Sequence, residues 1–456
     1  MAEIKKIKPS LPKGTRDFLP QEVAKRNYIF DTIKSVFRKY GFQQIDTPAF
    51  ERLETLTGKY GEEGDRLLFK ILNSGDYLKD APYAELQAKN SSAITRHISE
   101  KGLRYDLTVP LSRYVVQHQS ELTFPFKRFH IGPVWRADRP GKGRYQEFYQ
   151  CDADVIGSTS LLNEIELTQI YSEVYSKLGM DVTIRLNNRK FIDEFLTRAG
   201  ITDKKTEVTT LIDKLDKVEW SGEKGIAEQI KANGVSDEQL GLLSKTLFDT
   251  SYDELKATFS EAVVAEIDYV MSRVGHLANV QFDPTLMRGL DYYTGMVWEV
   301  KPNNVQMGSL GGGGRYDNLT EMFGGRDMSG VGISFGVERI YDVMEELNLF
   351  PATLIESTKV LFVHFDEASE AYAFDQLQKV RAQDIASEVY PGKKKLDKQM
   401  NYANDKKIPY VVVIGGDEMA SGKLTFKNMS NGQQDKLTID EIIERLKPLP
   451  ASPKGR

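Results

Sequence analysis

A single cysteine, Cys151, stands in 456 residues. One thiol cannot close an internal disulfide and cannot build a cysteine zinc site. The five histidines, His97, His118, His130, His276 and His364, are scattered without metal-ligand spacing, so no structural metal is expected. No run approaches the roughly 18 apolar residues of a membrane helix, and the opening MAEIKKIKPSLPKGTRDFLP has no apolar signal core. A cytoplasmic chain that leaves membranes alone is expected. An excess of positive charge is missing too. At a net charge of −5 there is no global basic field to grip nucleic acid indiscriminately, so a nucleic-acid partner must be held by local patches. Internal repeats and low-complexity segments are also lacking.

What remains is an ordinary globular composition, 40% hydrophobic and 28% charged, in a chain long enough for two or three domains. Residues 20–39 open with Pro20 and place Ile29, Ile33, Val36 and Phe37 at helical spacing, and Tyr40–Gly41 ends the helix. FQQIDTPAFE reads as a strand broken by Pro48. Several short strands with tight turns are expected across 124–157, then helix over 158–178. From about 187 to 275 the sequence is polar, charged and poor in glycine and proline, which reads as a helical insertion. Strands resume at 279–300, and MGSLGGGGRYDNLTEMFGG reads as a glycine-rich turn before a further helix and strand. After a linker at 350–358, residues 359–449 alternate strand and helix, the pattern of a small α/β domain with a partly parallel sheet.

Five stretches carry candidate chemistry. SLGGGGRYDNL lacks the Gly-Lys-Ser/Thr ending of a P-loop, so its glycines either admit a ligand close to the backbone or turn the chain. In KRFHIGPVWRADRPGKGRYQEFYQCDADVIG a basic loop joins two apolar runs as a hairpin. Arg136, Lys142 and Arg144 could meet a polyanion there, with Phe148 a flat face for a base; the plain alternative is a solvated loop. In LRYDLTVPLSRYV, Asp106 and Thr108 fall on one face of a short strand ended by Pro110, suited to an ammonium group or simply an exposed edge. RGLDYYTGMVWEV sets Arg288, Asp291, Tyr292 and Tyr293 ahead of a strand, with Tyr293 and Glu299 on the same face. Finally, YPGKKKLDKQMNYANDKK has six lysines against two aspartates. With Tyr390 and Tyr402 interleaved it could hold an RNA backbone and stack a base, although a solvated helix face explains such runs more often.

Taken in order, these stretches resemble a histidyl-tRNA synthetase, of the class II aminoacyl-tRNA synthetases, over nearly the whole chain. PKGTRDFLP resembles the N-terminal signature. Residues 21–51, centred on Pro48, resemble the dimer-forming motif 1, VWRADRPGKGRYQEF motif 2, and GVGISFGVER motif 3. RGLDYYTGMVWEV and LGGGGRYDNL resemble the two histidine-specific motifs. LRYDLTVPLSRY and FYQCDADVIG are similar to the eukaryote-like branch, which some bacteria share. Residues 76–102 are long for this position in the family.

The resemblance implies an antiparallel six-stranded catalytic sheet flanked by helices, split into 1–186 and 276–349 around the insertion at 187–275. The linker at 350–358, an anticodon-binding domain at 359–449 and a tail at 450–456 would follow. It implies L-histidine, ATP with Mg2+ and tRNA(His) as partners, and a homodimer. Arg288 and Arg136 would be catalytic. Histidine would be held by Asp106, Leu107, Thr108, Arg136, Gln150, Asp154, Arg288, Tyr292 and Tyr293. ATP would be held by Arg136, Asp138, Arg144, Phe148 and Arg339, with magnesium carried on its phosphates. The regulatory subunit of ATP phosphoribosyltransferase also resembles this catalytic region. Such proteins usually lack the anticodon-like domain and an intact RGLDYYTG, and both are present here.

Overall fold

The computed structural model describes residues 8–447 apart from 59–60, 217, 288–292, 319, 325–327, 353 and 355–357. The chain falls into two compact units, Met1–Phe350 and Pro351–Arg456.

In the first unit, helix α1 (Pro20–Lys39) has the expected bounds. Pro20 leaves no orphaned N–H at the first position, and the Glu22 carboxylate accepts from the Leu19 N–H at 2.6 Å. Arg38 and Lys39 sit at the negative end of the helix dipole. Ile29, Ile33, Val36 and Phe37 are buried, and the Phe37 ring lies 5.4 Å from Phe129 and 5.9 Å from Phe335, centroid to centroid. Burying one such ring stabilises by about 1.5–3 kcal/mol, so this aromatic seam fixes the helix against the sheet.

That sheet contains β1 (Gln43–Gln44), β2 (Phe126–Trp135), β3 (Glu147–Ile156), β4 (Val182–Asn188), β5 (Val280–Phe282), β6 (Met296–Pro302), β7 (Gly311–Tyr316) and β8 (Gly330–Gly336). Their order is β1-β2-β3-β8-β7-β6-β4-β5. The expected six-stranded antiparallel sheet is therefore corrected to an eight-stranded mixed one. From β2 to β4 the neighbours are antiparallel. The short β1 and β5 add in parallel at the two edges. Strands of two and three residues offer too few alternating positions to announce a sheet partner.

Three further expectations change. The stretch 124–157 is a single hairpin of two ten-residue strands rather than several short ones. The strand expected to end at Pro110 is helix α2 (Thr108–Gln117), with Pro110 in its first turn, where a missing N–H leaves no helical bond unmade. The Asp106 carboxylate accepts from the Val109 N–H at 3.1 Å and so starts that helix. The glycine run is strand β7, not a turn. A Cβ at Gly313 would stand 2.1 Å from the Gly332 carbonyl oxygen, and one at Gly314 would stand 2.5 Å from the Tyr293 ring. Glycine is required there for close approach.

Helix α3 (Leu162–Lys177) backs the sheet. Its Tyr171 hydroxyl lies 2.9 Å from the carbonyl oxygens of both Gly312 and Ser334, pinning β7 to β8. The region between β4 and β5 is mostly helical, from Arg189–Arg198 to Glu261–Val274. Phe191, Ile230 and Val270 from it join the main core. Helix α4 (Val337–Glu346) follows β8 directly.

The second unit is a five-stranded sheet of β9 (Val360–His364), β10 (Ser387–Val389), β11 (Tyr410–Ile414), β12 (Leu424–Asn428) and β13 (Gln434–Leu437), in the order β10-β9-β11-β12-β13. The first three pair in parallel and the last two antiparallel. This is the partly parallel α/β arrangement expected. Among the described residues no helix is long and apolar enough to cross a membrane.

Candidate active site

Strand β3 divides its residues by parity. Cys151, Ala153 and Val155 enter the main core, while Phe148, Gln150 and Asp152 line a cavity of about 480 Å³, within the ~300–1,000 Å³ usual for ligand pockets. Asp106 and Thr108 come to it from the start of α2, Ser334 from β8, Gly311, Gly312 and Gly313 from β7, and Arg339 from α4. The glycines leave that wall free of side chains, so a ligand can reach the backbone.

One group of lining residues is cationic. Arg136 Nε donates to the Tyr105 carbonyl at 3.1 Å. Its guanidinium lies 4.3 Å from the Tyr105 ring centroid and 5.2 Å from that of Phe148. The fork is thus oriented before any ligand arrives. Arg339 donates to the Gly143 carbonyl at 2.9 Å and the Ser309 carbonyl at 2.7 Å, tying the hairpin loop and the approach to β7 onto α4. Arg144 is exposed in the loop between them.

A second group is acidic and hydrogen-bonding: Asp106, Thr108, Gln150 and Asp152. Gln150 donates to Ser334 Oγ at 2.8 Å, and its own Oε1 is buried with no partner. On the neighbouring strand β2, opposite Asp154, Arg128 is fully buried and lies 2.6 Å from Asp154 Oδ2. Asp154 Oδ1 accepts from the Tyr316 hydroxyl at 2.6 Å. Burial pushes Asp152 up to about 7; Arg128 opposes the shift and Asp154 adds to it. Burial also raises Asp154, against Arg128 and the Tyr316 bond. His130 faces Asp152 across the strands and is pushed down to about 3, by burial first and then by Arg128 and Arg104.

The cavity brings together Asp106, Thr108, Arg136, Asp138, Arg144, Phe148, Gln150, Tyr293 and Arg339 of the residues singled out in the sequence. Arg288 and Tyr292 lie outside the described residues. Leu107 and Asp154 are not among the lining residues. The Leu107 side chain is buried and its carbonyl accepts from Arg128 at 3.3 Å, and Asp154, on the same face of β3 as Asp152, is taken up by Arg128 and Tyr316. Sequence reasoning missed Asp152, Glu299, Ser334 and Asp213. Parity along β3 could have found Asp152, two residues past Gln150. Glu299 shared a face with Tyr293 in the alternation pattern. Asp213 gave no local signal, because it arrives from the helical region between β4 and β5.

A family model described as histidyl-tRNA synthetase matches residues 14–78 and 96–340, and one described as an anticodon binding domain matches 358–449. The unmatched 79–95 fall within the stretch 76–102, long for the family. The chain is 50% identical to a histidine–tRNA ligase of Christiangramia forsetii, covering 96% of this chain and 99% of that one. It is 49% identical to that of Phocaeicola vulgatus, again over 96% and 99%. Among solved structures, histidyl-tRNA synthetase from Nostoc sp. PCC 7120 superposes with a TM-score of 0.77 at 29% identity, covering 96% of this chain and all of that one.

Proposed function

The chain belongs to the histidyl-tRNA synthetase family, and from that premise we propose how its cavity works. The protein is a histidine–tRNA ligase that joins histidine to tRNA for protein synthesis. The supporting observation is the pairing, in one cavity, of oriented arginines with a set of carboxylate and amide acceptors. A zwitterionic amino acid and a nucleoside triphosphate need both.

The ammonium group of histidine is held by Asp106, Thr108 and Gln150. Its imidazole needs one donor and one acceptor, supplied by Tyr293 with Tyr292 and by a β3 carboxylate. Asp152 lines the cavity, and Asp154, two residues on, is paired with Arg128. A pocket built on such bonds rejects analogues lacking them by roughly 10⁴-fold. ATP lies along Arg136, Asp138, Arg144, Phe148 and Arg339. The histidine carboxylate attacks the α-phosphorus in line, and pyrophosphate leaves. Two anions must meet, and charge spreads over the α-phosphoryl oxygens. Arg136 and Arg288 answer both by position and electrostatics, without a covalent intermediate on the protein.

Among the described residues no group of three or more His, Cys, Asp or Glu is placed to hold a metal ion. Asp138 and Asp213 bring to the wall the hard oxygen donors that magnesium prefers. Magnesium carried on ATP would neutralise phosphate charge. The activated histidine then passes to the terminal ribose of tRNA(His), bound in part by the second unit. A homodimer formed through residues 21–51 and a cytoplasmic location belong to the same reading.

Amino-acid-dependent exchange of labelled pyrophosphate into ATP tests it. Exchange with histidine alone among the twenty amino acids is expected, lowered on the order of 10²–10³-fold by Arg136→Ala or Arg288→Ala. Folded protein that gives no exchange with magnesium present would overturn the reading.

A further inference from the structure

The N-terminal residues 12–18 lie outside the cavity, yet they are bound to the loop that forms its rim. The Gly14 carbonyl accepts from the Gln146 N–H at 2.8 Å and from the Glu147 N–H at 3.4 Å, where the chain enters β3. Gly14 has a φ of +81°, and a Cβ there would come 2.6 Å from Gln146 Cγ, so both conformation and space call for glycine. Two residues on, the Arg16 guanidinium stacks 3.7 Å from the Tyr145 ring centroid and donates to the Tyr145 hydroxyl at 2.9 Å. That hydroxyl donates to Asp342 of α4 at 3.1 Å, and Arg16 itself is 3.6 Å from the same carboxylate. Phe18 lies under Arg26, 3.9 Å from guanidinium to ring, and Arg26 donates to the buried Glu338 at 2.8 Å. Glu338 in turn accepts from the Tyr149 N–H at 2.8 Å.

With Arg339 bonded to the Gly143 carbonyl, residues 143, 145 and 146 are each tied down, and Arg144 stands exposed between them. We propose that residues 12–18 act as a strap that holds this loop in its binding shape, with Arg16 as the positioning residue for Arg144. The proposal rests on the reading of Arg144 as a phosphate contact. Physically, an arginine on a free loop loses backbone and side-chain entropy when it meets a phosphate. A loop already held loses less, and the gain is confined to the ligand that Arg144 touches. The Arg16 stack is suited to this because it grips Tyr145, the neighbour of Arg144, while Arg16 itself is not among the residues that line the cavity.

The test is histidine-dependent pyrophosphate exchange on the full chain, with KM measured separately for ATP and for histidine. Arg16→Ala is expected to raise the KM for ATP on the order of tenfold while leaving the KM for histidine within about twofold. In an Arg144→Ala background, Arg16→Ala is expected to add little, since the residue it positions is gone. Arg16→Lys keeps the charge but not the planar stack or fork; it covers the case in which the alanine variant does not fold, and a smaller rise in the same KM is expected. An unchanged KM for ATP, equal rises in both KM values, or full additivity with Arg144→Ala would overturn the strap. Absence of exchange in the wild-type protein would instead overturn the reading of the cavity.

Discussion

Asp152 and Asp154 are both buried on one face of β3, with Arg128 paired to Asp154 at 2.6 Å. Burial is the main reason that Asp152 is pushed up to about 7 from 3.8; Arg128 opposes the shift and Asp154 adds to it. A raised carboxyl favours the protonated folded state, so its contribution to stability is lost as pH rises from about 4 to 7 and the cost stands in full above that. His130, pushed down from 6.5 to about 3, works in the other direction: its contribution is present above 6.5 and lost as pH falls toward 3. Asp152→Asn should therefore stabilise the fold above pH 7 by on the order of 1 kcal/mol and leave it little changed near pH 4, as thermal melts across that range would show. The same substitution should lower histidine-dependent exchange at least tenfold by weakening the imidazole contact. A variant that is stabilised and fully active would remove Asp152 from the histidine site. The resemblance pointed to Asp154. Both carboxylates are buried and share a face of β3; Asp152 is chosen because it lines the cavity, whereas Asp154 is bound to Arg128 and Tyr316 and lies against Gly332, where a Cβ would stand 2.0 Å from Asp154 Oδ1.

Single elements differ in how openly they declare themselves. Helix α1 was legible because a proline start, basic end and 3.6-residue apolar spacing all agree. Strand β7 was not, because its glycines signal turns when read locally and only Gly332 and Tyr293, packed against them, explain their absence of side chains. The two central glycines should therefore respond differently to alanine. Gly313→Ala drives a Cβ to 2.1 Å from backbone oxygen and should destabilise by about 2–3 kcal/mol in denaturant melts. At Gly312 the nearest atom to a Cβ is the Trp298 carbonyl oxygen at 3.2 Å, so stability should stay within about 1 kcal/mol of wild type. Because Gly312 lines the cavity, exchange should nonetheless fall. Equal stability losses at both positions would contradict the packing account. Helix α2 was misread for a similar reason: Pro110 breaks strands and helix interiors, but not the first turn that Asp106 starts.

At the scale of the whole chain, the two units have separate cores, which matches a division between amino-acid activation and RNA contact. The tyrosines of the lysine-rich run do not stand ready to stack a base. Tyr390 and Tyr402 pack edge to face at 5.4 Å, Tyr402 donates to Glu388 at 2.7 Å, and Lys406 pairs with the same carboxylate. Lys393, Lys394, Lys395 and Lys398 are exposed, so an RNA contact made through this run would be electrostatic rather than stacked. Lys394→Glu with Lys395→Glu should weaken tRNA charging, more so at low salt, with exchange unchanged; unaltered charging would move the RNA contact elsewhere. By itself the sequence determined the family, the helix and strand alternation of the second unit, and nine of the residues that line the cavity, because these rest on local periodicity and on motifs whose spacing is short. Only the tertiary structure decided the extension of the sheet to eight strands by β1 and β5 at its edges, the pairing of Asp154 with Arg128 and Tyr316, the arrival of Asp213 and the grip of Arg16 on Tyr145. Each of those joins residues far apart in the chain, and distance in the chain carries no local pattern that encodes which surfaces will meet.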